Sequence, residues 1–128
     1  MTTTSKPAIE GAATIFVVRD LLRSIEHYRD VLGFHVEFTY GEPAFYAGVE
    51  RDHLLIHLQA SQRTKRQPGH GAIYAFTDNV DTLFEELQPK GATILQPPKD
   101  YPYGMRDFSI TDIDGNQLSF GTQSKAAS

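Results

Sequence analysis

Val18-Arg19-Asp20-Leu21-Leu22-Arg23-Ser24-Ile25-Glu26-His27-Tyr28-Arg29-Asp30-Val31-Leu32-Gly33-Phe34 is the stretch on which the fold turns. Leu21, Ile25, Tyr28 and Leu32 recur at helical spacing and make one apolar stripe. Asp20 stands where a side-chain oxygen can accept from free amides of the first turn. Gly33 supplies a left-handed residue to end the helix, and Phe34 closes it with an apolar contact. Ahead of this helix, Ala12–Val18 reads as a strand. The same plan returns downstream: strand Ala72–Thr77, Asp78 or Asn79 as cap, stripe Val80, Leu83, Phe84 and Leu87, Pro89 as an early stop, and Gly91 before a new strand. The Asp20–Asp78 and Gly33–Gly91 offsets are both 58 residues, whereas the helix cores pair better at 59, setting Leu21 on Val80, Ile25 on Phe84 and Tyr28 on Leu87. A slip of one residue exchanges the two faces of a strand. We therefore take 59 for strands and helices, with the compensating shift near the helix caps.

Three shorter strands follow each helix: about 35–40, 45–50 and 53–59 in the first half, and 93–96, 105–111 and 117–122 in the second. Asp112-Ile113-Asp114-Gly115 marks the turn between the last two. Each half is then a β-α-β-β-β module. Neither module's sheet can bury both faces alone, so the fold class is α+β, two βαβββ modules forming a curved mixed sheet around a cavity with helices outside. A ferredoxin-like two-layer domain is the alternative on pattern alone. We expect a disordered tail over 1–10, one domain over 11–122 (modules about 11–60 and 71–122), and a tail over 123–128.

The 128 residues suffice for one domain with its own core. Cysteine is absent, which excludes disulfides, Cys-ligated zinc, iron–sulfur clusters and a thiol nucleophile. The net charge is −4 and the only local basic cluster is Arg63-Thr64-Lys65-Arg66, in a Gln/Gly/Pro-containing stretch. That argues against nucleic acid, whose backbone needs several cations on one face. No signal-like or membrane-length apolar run is present, so the expected location is the cytoplasm.

Four motifs carry a family resemblance. Val18-Arg19-Asp20-Leu21-x-x-Ser24-Ile25-x-x-Tyr28-x-x-Val31-Leu32-Gly33-Phe34 resembles the opening of vicinal-oxygen-chelate (glyoxalase/bleomycin resistance protein/dioxygenase) proteins, and Asp112-x-Asp114-Gly115-Asn116-x-Leu118-x-Phe120 resembles their closing hairpin. Ala47-Gly48-Val49-x-Arg51-Asp52 and Pro102-Tyr103-Gly104-x-Arg106-Asp107-Phe108 are similar to the bleomycin-resistance branch. The resemblance spans about residues 12 to 122. It implies paired βαβββ modules around a cavity, a homodimer, and, in the enzymes, Ni, Zn, Fe or Mn held by inward-facing His, Glu or Gln from the first and last strand of each module.

Transferred residue by residue, those four positions fall on Ala13, His57, Ala72 and Ser119. Alanine cannot ligate, a serine hydroxyl is a poor donor for such ions, and a catalytic site needs about three good protein ligands. We therefore expect no metal and no other cofactor. His53 lies four residues from His57, ~13 Å along a strand, too far to share an ion. His70 could approach the cavity only in a register shifted by two, and His27 and His35 read as surface residues. His57 is either a cavity-wall histidine or a hydrogen-bond or acid/base contact to a ligand.

Alternation packs Ile56, Leu58, Phe108, Ile110, Leu118 and Phe120 under the helices. It turns His53, Leu55, His57, Asp107, Ser109, Gln117 and Ser119, with Ile15, Val17, Tyr74 and Phe76, toward the cavity. Pro97–Gly104 reads as a semi-rigid loop over the cleft, bringing Tyr101 and Tyr103 to stack on a flat ligand; Tyr40, Phe45 and Tyr46 do so from the first module. The candidate ligand-binding residues are His57, Tyr74, Phe76, Tyr103, Asp107, Ser119, Tyr40 and Phe45. They suggest a homodimeric, metal-independent protein that sequesters an antibiotic-like or aromatic small molecule and contacts neither nucleic acid nor membrane. The alternative is a metal-dependent lyase, isomerase or ring-cleaving dioxygenase with displaced ligands such as His57 and His70.

Overall fold

The computed structural model describes residues 6–124. The expected plan occurs twice: β1 (Thr14–Val18), α1 (Leu21–Glu26), β2 (His35–Gly41), β3 (Ala44–Arg51) and β4 (Leu54–Ala60), then β5 (Ala72–Phe76), α2 (Val80–Leu87), β6 (Thr93–Asp100), β7 (Met105–Thr111) and β8 (Gln117–Gln123). Asp20 caps α1 by accepting from the Arg23 amide, and Asn79, not Asp78, caps α2 by accepting from the Thr82 amide. These caps are 59 residues apart, whereas Gly33 and Gly91 are 58 apart. The extra residue of the first module sits between them. A π-helical turn over His27–Val31 continues α1 and absorbs it, with the Leu32 amide donating to the His27 carbonyl. The compensating shift thus falls inside the helix, and the offset is 59 before the turn and 58 after it.

The strands divide into two four-stranded mixed sheets, β1-β4-β3-β2 and β5-β8-β7-β6, each with one parallel pair. β6 is longer than expected, running through Pro97 and Pro98 to Asp100. As an edge strand it tolerates two missing amides, and its register slips between Ile94 and Gln96 and between Gln96 and Lys99. The predicted loop over the cleft shrinks to residues 101–104. His53 lies in the β3–β4 turn, not on the β4 face. At the other end β8 runs to Gln123, and Ser124 is buried, its amide donating to the Gly104 carbonyl. The expected C-terminal tail therefore loses its first two residues to the fold. Residues 6–13 form no helix or strand, and the expected tails at 1–5 and 125–128 lie outside the described residues.

One buried cluster unites the helix-covered faces of both sheets: Phe16, Val18, Ile56 and Leu58 from the first module, Phe108, Ile110, Leu118 and Phe120 from the second, and Leu21, Ile25, Tyr28, Val80 and Leu87 from the helices. A polar junction locks the modules together. Tyr28, fully buried in the helical stripe, donates its hydroxyl to Asp112 Oδ2 at 2.8 Å. Burial, with Asp112 adding to it, pushes that phenol well up and keeps it a donor. Asn116 bonds the Val17 carbonyl and the Gly71 amide, and Asp114 accepts from the Arg19 amide and side chain. At the opposite junction Arg51 reaches across to Glu86 with paired bonds of 2.7 and 2.8 Å. No helix among the described residues is long and apolar enough to cross a membrane.

Candidate functional site

The helices cover one face of each sheet, so the other face is the one left for a ligand. In the second module that face is built around Asp107 on β7, which is 6% exposed. Tyr74 on β5 and Tyr103 in the β6–β7 turn both donate to the same carboxylate oxygen, Oδ2, at 2.9 and 2.7 Å. Tyr74 also carries the ring of Phe76, 5.5 Å away, and Tyr103 is stacked on Tyr101 at 5.1 Å. Gln96 in turn hydrogen-bonds the Tyr101 hydroxyl. Beside this group Ser119 and Ser109 share a 2.7 Å hydrogen bond, and the Gln117 amide donates to Ser119 at 3.1 Å. Phe76 is 80% and Tyr103 63% exposed, so the carboxylate is buried but its aromatic surround is open.

The hydrogen bonds to Asp107 leave a mark on both phenols. Burial, then the Asp107 hydrogen bond and charge, push Tyr74 far up, while the Asp107 bond leads in pushing Tyr103 up to about 12. The folded chain holds the Tyr103 proton more tightly than the unfolded chain does. Its contribution to stability is therefore full below the ordinary tyrosine range near 10.0 and drains away as pH rises towards 12. Absorbance titration of Asp107→Asn is expected to return Tyr103 towards about 10. A Tyr103 titration that stays near 12 in that variant would show that Asp107 is not the cause.

The first module carries a second group. His57 on β4 is half-buried, its Nδ1 2.9 Å from the Tyr46 hydroxyl, with the rings of Tyr46 and Phe38 edge-on at 5.3 and 5.4 Å. Further along, Tyr40 meets Phe45 edge-on at 5.4 Å, and the Arg63 guanidinium lies 3.8 Å over the Phe45 ring. The Arg66 guanidinium bonds the Ile15 carbonyl at 3.1 Å. The eight expected site residues thus divide by module: Tyr74, Phe76, Tyr103, Asp107 and Ser119 in the second, and His57, with the separate Tyr40–Phe45 pair, in the first. Among the described residues no hydrogen bond or ring contact joins the two sets. Sequence reading missed the pairing of Tyr46 with His57, which only the β3–β4 register reveals, and Arg63 over Phe45, which has no periodic signal because it comes from a connecting segment.

The strand register sets the neighbours of His57 and Ser119. The strand neighbour of His57 is Ile15 and that of Ser119 is Tyr74, two residues beyond Ala13 and Ala72. Ile15 has no donor atom, and the Tyr74 hydroxyl is engaged with Asp107. His53 and His70 both lie outside strands and are exposed. Among the described residues no three of His, Asp and Glu come together so as to hold a metal ion. The donor set does not fit the ion that enzymes of this fold use. A cleft of about 550 Å³ opens between the β3–β4 turn and α2, and its lining reaches Tyr74 and Phe76 of the Asp107 group. Its central polar pair, Arg51 and Glu86, is closed on itself.

Residues 12–120 match the Glyoxalase/Bleomycin resistance protein/Dioxygenase superfamily, and the chain belongs to that superfamily. Solved structures share the fold. An antibiotic-binding protein from Streptomyces sp. CB03234, TnmS3, is 22% identical with a TM-score of 0.78, covering 94% of this chain and 100% of its own. The bleomycin-binding protein of bleomycin-producing Streptomyces verticillus, solved with copper(II)-bleomycin, is 23% identical at 0.75, covering 90% and 97%. A lactoylglutathione lyase from Agrobacterium tumefaciens is 20% identical at 0.72, covering 91% and 94%. No curated protein matches the chain.

Proposed function

We propose that this protein binds and sequesters an antibiotic-like or aromatic small molecule without a metal. Its site residues are Tyr74, Phe76, Tyr103, Asp107 and Ser119 on one open face and His57, Tyr40 and Phe45 on the other. The observation that carries this reading is Asp107, buried and fixed by two tyrosines whose rings stay exposed. Such a group is already oriented before a ligand arrives, which lowers the ordering cost of binding. Unsatisfied aromatic surface around a few polar points suits a moderately hydrophobic organic ligand. That no three of His, Asp and Glu converge among the described residues supports metal independence. In the homodimer we infer, a second copy covers the open faces and completes each cleft, and the protein acts in the cytoplasm without nucleic acid or membrane.

A panel of aromatic metabolites and antibiotics tests this by thermal unfolding. A ligand present at a hundred times its Kd should stabilise the fold by about 2.7 kcal/mol. No rise in melting temperature across the panel would defeat the reading. A metal-dependent lyase, isomerase or dioxygenase is the second reading, favoured by the His57–Tyr46 pair, which could move a proton. Stoichiometric Ni, Zn, Fe or Mn in protein purified without chelator, lost in His57→Ala, would favour it instead.

A further inference from the structure

We infer that the Asp107 site recognises an alkylated ammonium group on its ligand. The inference rests on the binding role just proposed and names the chemistry of the bound molecule. Asp107 Oδ2 takes both tyrosine hydroxyls, while Oδ1 accepts no hydrogen bond among the described residues. Among the described residues no Lys, Arg or His lies within ion-pair distance of it; its neighbour Arg106 is committed to Asp81 and Asp100. A buried carboxylate held only by neutral donors lacks the partner that usually offsets its desolvation. A cation from the ligand would supply it.

The surround fits the same cation. Tyr74 and Tyr103 meet at one oxygen, and each carries an aromatic neighbour, Phe76 and Tyr101, so a chain of four rings is tied to one negative charge. Ring faces attract cations, and alkylated ammonium groups gain most from such cages because they are weakly hydrated and make no directional demand. The chain already shows the preference within itself. Lys99 is the cross-strand partner of Asp107, yet its ammonium lies over the Tyr101 ring, 5.4 Å from the centroid. A ligand's cation would compete with it for that ring. An anionic ligand would be repelled, and a neutral one would bring no charge to offset the carboxylate.

Benzyltrimethylammonium and neopentylbenzene have the same shape and differ only in nitrogen with a positive charge against neutral carbon. Binding measured by ligand-observed NMR is expected to favour the cation by about tenfold or more, and Asp107→Asn should remove most of that preference. Lys99→Met, on an exposed edge, does not depend on a buried polar change being tolerated. It should tighten benzyltrimethylammonium several-fold by vacating the Tyr101 ring. Equal binding of the two probes, binding of neither, or an unchanged or weaker affinity in Lys99→Met would overturn the inference. Failure here is separable from failure of the binding role: neutral or acidic hits in the thermal panel would leave that role standing while removing the ammonium.

Discussion

Asp112→Ala is expected to lower the unfolding free energy by about 3–5 kcal/mol, the range for stripping one partner from a buried charged network. Asp112 is 4% exposed and accepts four hydrogen bonds, from the Tyr28 hydroxyl, the Asn116 amide, the Asn116 side chain and the Asp114 amide. The last three shape the β7–β8 turn, and the first ties that turn to the helix of the other module. Alanine leaves the Tyr28 hydroxyl buried without an acceptor and frees the Asn116 side chain that holds Val17 and Gly71. Tyr28→Phe removes one donor and keeps the ring, so it should cost only about 1–2 kcal/mol. Urea unfolding of both variants and of the double variant measures the coupling. A loss under about 1 kcal/mol for Asp112→Ala would mean that the junction is not held by these bonds.

Gly69→Ala should be comparably damaging, by about 2–5 kcal/mol, through the backbone alone. Gly69 has a φ of 81°, its amide donates to the Val17 carbonyl, and an added methyl would collide with the Asp114 carbonyl oxygen. That neighbour is main chain of the β7–β8 turn and cannot swing aside. Gly91→Ala provides the contrast: its φ is 100°, but an added methyl meets nothing within 4 Å. Only the left-handed penalty applies there, about 1–2 kcal/mol. Equal losses at the two positions would show that the collision at Gly69 is relieved by a movement of the connecting segment.

Much of this was legible in the chain. Asp20 and Gly33 bracketed the first helix, and alternation along β4, β7 and β8 placed Ile56, Leu58, Phe108, Ile110, Leu118 and Phe120 in the core while turning Asp107 and Ser119 away from it. Pairing between strands was much less legible. Nothing in the spacing of Tyr74, Tyr103 and Asp107 reveals that two hydroxyls meet on one oxygen, because that depends on the β5–β8 and β7–β8 registers and a four-residue turn together. The prolines at 97 and 98 misled for a related reason: they exclude a central strand, and β6 is an edge. The strand neighbours of His57 and Ser119, Ile15 and Tyr74, could not be read from the chain, because parallel register cannot be counted from the helix start.

The π-helical turn at His27–Val31 bears on how the two halves of this chain relate as building blocks. An α-helix advances about 100° per residue. An insertion placed there would ordinarily rotate everything that follows, yet Val36 and Ile94 both still pack against the core. The halves have therefore parted by a length change that a helix swallowed, not a loop. A hybrid joining the start of one half to the end of the other at a splice inside residues 27–31 would inherit the wrong number of residues and present β2 back to front. A splice before Asp20 or after Gly33 would carry the bulge as an intact piece, and it is there that recombination between the repeats could succeed.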